Sequence, residues 1–66
     1  MDRYIRMNQS EIFRTLQTAS KYGGGFMQLL ARAAIVADPD NKALILKTWP
    51  EIINTYGPGS ALYEED

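Results

Sequence analysis

The sequence contains no cysteine and no histidine. The first absence removes disulfides and zinc–thiolate sites together and suits a reducing compartment. The second removes the side chain that most often serves as general base or nitrogen ligand. A metal would have to rest on carboxylates, and none of these falls at a recognisable loop spacing. Nucleophile–base pairs are equally missing, so the chain does not read as an enzyme, and no cofactor is implied. Long apolar runs are lacking too. The longest, Ala33 to Ala37, is far short of the ~20 residues that cross a bilayer. The opening "MDRYIRMNQSEIF" has no apolar stretch of signal-peptide length. A cytoplasmic protein with no membrane partner is expected.

What is present points to helices. Nothing alternates with the period of a strand, and no repeat or low-complexity segment interrupts the chain. Asn8 followed by Glu11 has the chemistry of an N-cap and its reciprocal partner, with Ser10 as a competing cap. Ile12, Phe13, Leu16 and Ala19 then form one apolar stripe, which Tyr4, Ile5 and Met7 could extend backwards. Gly23 is expected to end this first helix in the left-handed conformation. A second helix runs from about Gly25 to Ala37 and is apolar almost all round, with Gln28 and Arg32 sharing one narrow polar face. In "ADPDN", Asp38 suits an N-cap, Pro39 the first helical position and Asp40 the positive first turn. The third helix meets Pro50, which disfavours helical geometry at Trp49. Yet Ile45, Trp49, Ile52 and Tyr56 keep helical spacing across it. A kink or two short helices is expected, with Trp49 in the core. Pro58-Gly59 fits the centre of a type II turn, followed by the apolar pair Leu62 and Tyr63, expected to dock back on the body, and by the solvated acidic end Glu64 to Asp66.

The fold class expected is therefore all-α: a small helical hairpin of three to four short helices in a single domain, residues 1–66, with 58–66 as turn and acidic tail. A chain of 66 residues builds only a marginal core, and without disulfides or metal the reinforcement left is self-association. A helix apolar on nearly every side must be surrounded, which two other short helices can hardly achieve. A homo-oligomer, dimer or higher, is the expectation. Charge is split along the chain. Residues 1–32 hold five cations against two carboxylates, a net of +3, and residues 33–66 hold two against six, a net of −4. The split suits solvated faces, head-to-tail contact between copies, or a local anion pocket. It is too weak for bulk nucleic-acid binding.

"KYGGGF", residues 21 to 26, carries the one candidate site. Gly24 and Gly25 at the start of the second helix could offer backbone N–H groups to an anion, with close approach and positive backbone dihedrals expected of them in that role. Lys21 and Arg32 would supply charge, Gln28 a polar contact beside Arg32, and Tyr22 a stacking face. Neither the P-loop nor the dinucleotide fingerprint is matched, and a tight helix–helix turn explains the same glycines. In a ligand site, Gly24→Val would abolish binding; in a mere turn it would damage the fold.

The stretch "YGGGFMQLLARAAIVADPDNKALILKTWPEIINTYGPGS" resembles a group of small proteins encoded by tailed phages and prophages. Shared are a glycine pair and Phe before an Ala/Leu-rich helix, an Ala-Asp-x-x-Asn turn, and an aromatic-Pro-Glu segment ending in Tyr. Trp49 stands where Phe is more familiar. The resemblance covers roughly residues 22–60 and implies a phage accessory protein in the host cytoplasm that acts by occupancy. One implied function is counter-defence, an oligomer sequestering a small cyclic nucleotide signal at Lys21, Tyr22, Gly24, Gly25, Gln28 and Arg32. The alternative is inhibition of a host protein through a helical surface, or a helical assembly module. A DNA-binding regulator ranks last, because the helix after Asp38 begins acidic.

Overall fold

The computed structural model describes residues 6–63, and the contributions expected of Tyr4, Ile5 and Glu64 to Asp66 lie outside them. Four helices follow in order: α1 (Gln9–Tyr22), α2 (Gly25–Val36), α3 (Pro39–Thr48) and α4 (Glu51–Tyr56). No strand occurs among the described residues. The protein is all-α.

Local chemistry sets each boundary. Asn8 caps α1 in a full capping box: its Oδ1 accepts from the Glu11 N–H at 2.8 Å, and its own N–H donates to Glu11 Oε1 at 3.0 Å. Two of the unpaired amides of the first turn are satisfied in this way. Asp38 caps α3 by accepting from the Asn41 backbone N–H at 3.3 Å and its side-chain amide at 2.6 Å, with Pro39 at the first helical position. The break at Pro50 is as expected. Trp49 leaves helical geometry (φ −121°, ψ 72°), and the chain is helical on both sides. The Ser60 N–H donates to the Gly57 carbonyl at 3.0 Å with Gly59 at φ 90°, closing the type II turn around Pro58-Gly59.

α1 and α2 form a helical hairpin joined by Gly23 and Gly24; α4 packs beside α1 and α3 beside α2. Ile12, Leu16 and Ala19 of α1, Ala31 and Ala34 of α2, Leu46 of α3, and Ile52 and Ile53 of α4 make the core. Met7, Ile45, Trp49 and Tyr56 are half-buried against it. Trp49 is thus a border residue rather than a fully buried one, its ring 6.0 Å from that of Phe26 in a T-shaped pair.

Three expectations are corrected. Gly23 is extended (φ −73°, ψ 163°), not left-handed. Its N–H still closes α1 on the Ala19 carbonyl at 2.9 Å. A Cβ there would sit 2.6 Å from that carbonyl oxygen and 2.8 Å from Met27 Cβ, so glycine is needed for close approach and not for dihedral freedom. Phe13 lies outside the core, 46 % exposed, while Thr15 and Thr18 are buried. Their hydroxyls donate to the carbonyls of Glu11 and Arg14, each at 2.7 Å, which removes the cost of burying them. Leu62 does not dock, being 40 % exposed, whereas Tyr63 is half-buried.

Candidate functional site

The six residues of the glycine-turn site divide between two helices. Lys21 and Tyr22 end α1, and the Lys21 ammonium lies over the ring of Tyr22, 5.2 Å from its centroid. One face of the aromatic is thereby engaged within the chain. Gly24, the N-cap of α2, has φ −71° and ψ 179° and no side-chain cap. Gly25 opens α2, and at neither glycine would a Cβ meet anything within 4 Å. The positive dihedrals expected of a ligand loop are absent here, because Gly59 is the one described glycine with positive φ. Gly25, Gln28 and Arg32 follow along one side of α2 at helical spacing, with Gln28 half-buried and Arg32 exposed. From Gly25 to Arg32 the rise is roughly 10 Å at 1.5 Å per residue.

Lys21 also borders a shallow hollow with Ser10, Phe13, Arg14, Gln17, Thr18 and Ser20. All seven belong to α1, so the hollow is the space between long side chains on one helix. A second hollow, between Met7, Ile12, Pro39, Ala43 and Leu46, lies where α1 begins against the start of α3. Among the described residues no cluster of acidic side chains could hold a metal ion, and no helix is long and apolar enough to cross a membrane.

The more pronounced surface feature is the outer side of α2. Ala31 and Ala34 face the core with no exposed surface, while Phe26 is 64 %, Leu29 67 % and Val36 84 % exposed. The exposed residues of the helix are Gly25, Phe26, Leu29, Arg32, Ala33 and Val36, of which Arg32 alone is charged. Within the single chain, α2 turns Ala31 and Ala34 fully inward, packs Met27, Leu30 and Ile35 half-buried against the core, and leaves Phe26, Leu29 and Val36 exposed. The small fully buried residues of the two helices, Ala19, Ala31 and Ala34, belong to the same core. The outward set is missed by sequence reasoning, because the two polar residues of the helix, Gln28 and Arg32, mark only a narrow flank and leave the remaining apolar positions undistinguished. Phe26, Leu29, Ala33 and Val36 recur at spacings of three, four and three, the pattern of a coiled-coil seam, and that spacing was the available signal.

Set against protein-family models, curated proteins and solved structures, the chain matches none of them.

Proposed function

We propose that this is a non-enzymatic protein that acts through protein–protein contact, with the outer face of α2 as the surface on which another protein chain docks. The observation that carries it is the exposure of Phe26, Leu29 and Val36 on one side of a single helix. Monomeric surfaces seldom keep so contiguous an apolar patch without a partner for it. The setting is the one implied by the resemblance to small phage proteins, a counter-defence role in the host cytoplasm.

Sequestration of a small cyclic nucleotide is a second reading. It is favoured by the unobstructed backbone at Gly24 and Gly25 beside Lys21 and Tyr22, and by Arg32 on the same helix. One experiment separates the two. Host cells expressing wild-type, Leu29→Asp or Lys21→Ala/Arg32→Ala protein are challenged with phage, and the purified proteins are titrated with cyclic di- and trinucleotides in a calorimeter. Surface occupancy predicts loss of protection with Leu29→Asp alone and no heat of nucleotide binding. Sequestration predicts nucleotide binding tighter than millimolar, lost in the double variant. No protection by the wild type removes the counter-defence role itself.

A further inference from the structure

We propose that a second copy of this chain occupies the outer face of α2, docked antiparallel about a two-fold axis. This rests on the reading of α2 as the contact surface and names its occupant. Three observations lead there.

The first is shape. The seam runs large, large, small, medium through Phe26, Leu29, Ala33 and Val36. Antiparallel pairing with the axis midway between Leu29 and Ala33 sets Leu29 over the partner's Ala33 and Phe26 over the partner's Val36. Each bulky side chain then meets a smaller one, as interdigitated packing requires. Parallel pairing would set Ala33 on Ala33 and leave a gap in mid-seam.

The second is charge at the ends of the helix. Lys21 precedes the N-terminal end of α2, and Asp38 and Asp40 follow its C-terminal end. No acidic residue lies within α2. Antiparallel docking brings the cationic end of each copy to the acidic end of the other and opposes the helix dipoles. Parallel docking would place like charges together at both ends.

The third is the composition and size of the strip. A standard interface takes ~800 Å² per partner, roughly a fifth of the 4282 Å² that the chain exposes. One face of a helix roughly 18 Å long at 1.5 Å per residue is narrower than that, so the dimer is a weak one that forms as protein concentration rises. The same register places Arg32 within one residue of the axis, on the flank where it meets the Arg32 of the other copy. This like-charge pair weakens the dimer and gives the geometry a signature of its own.

Sedimentation equilibrium from micromolar to millimolar protein tests the proposal. Wild type passes from monomer to dimer across that range. Leu29→Asp keeps the wild-type circular dichroism, since the residue is 67 % exposed, and dimerises at least about tenfold more weakly, a difference of ~1.4 kcal/mol. In a mixture of wild type with Arg32→Glu, native mass spectrometry finds the heterodimer in excess of its statistical share. A wild type that stays monomeric to millimolar, a Leu29→Asp dimer of unchanged strength, or a statistical heterodimer share would overturn the proposal. Should wild type stay monomeric while Leu29→Asp still abolishes protection of phage, the second copy is excluded as occupant and the contact role of α2 stands.

Discussion

At the scale of single residues, the three glycines are in two different situations. Gly23 is held against Ala19 and Met27, whereas Gly24 and Gly25 face open space. Gly23→Ala should therefore destabilise the protein by about 1–3 kcal/mol through overpacking, since its dihedrals are open to alanine. Gly25→Ala should stabilise it by about 0.4–1 kcal/mol, because alanine restricts the unfolded chain and fits a helical site. Urea denaturation of the two variants checks both signs. Asp38 offers a test by pH. Its carboxyl is held below the ordinary carboxylate range, chiefly by the side-chain hydrogen bond from Asn41 and then by the Asn41 backbone N–H. A depressed folded-state pKa contributes stability that is full above the unfolded-state pKa and is lost as pH falls through the folded value. Melting temperature should accordingly drop with acid in wild type, and the part of the drop owed to this cap should be missing in Asp38→Asn. An equal acid response in the two proteins would assign it to other carboxylates.

At the scale of elements, what was legible in the sequence is what backbone chemistry decides locally. The Asn8–Glu11 box, the Asp38-Pro39 start, the break at Pro50 and the Pro58-Gly59 turn each follow from a few adjacent residues. Facing was less legible. The stripe of α1 named Phe13 as core, yet Thr15 and Thr18 are buried in its place, because a threonine hydroxyl can satisfy itself on its own helix. In α2 Gln28 and Arg32 marked only a narrow flank, so the inward facing of Ala31 and Ala34 was set by packing against the other helices, which no local pattern reports. The six residues of the glycine-turn site were read from adjacency, and the structure spreads them over the end of α1 and one side of α2. Because α1 contributes Ile12, Leu16 and Ala19 to the core, its cap matters to the whole chain. Asn8→Ala should cost about 0.5–2 kcal/mol in a chemical denaturation experiment, and Asn8→Asp should restore most of it.

At the scale of the whole molecule, the two sides of α2 answer to different forces, and a pair of substitutions can separate them. Ala34 has no exposed surface and belongs to the core shared by all four helices. Leu29, on the opposite side, contributes to no part of that core. A glutamate at Ala34 would be forced to bury a charge with no partner designed for it, which costs several kcal/mol even after relaxation and water penetration. Domains hold roughly 0.05–0.15 kcal/mol per residue of net stability, so a chain of 66 residues has little margin against such a loss. Ala34→Glu should therefore be largely unfolded at every protein concentration, with its helical circular dichroism lost. Association cannot rescue it, because the site lies in the core and away from the outer face. Leu29→Asp should do the reverse, keeping the monomer fold and losing only concentration-dependent association. A folded, soluble Ala34→Glu protein would mean that α2 is rotated about its axis, and with it the assignment of Phe26, Leu29, Ala33 and Val36 to the contact surface would fall.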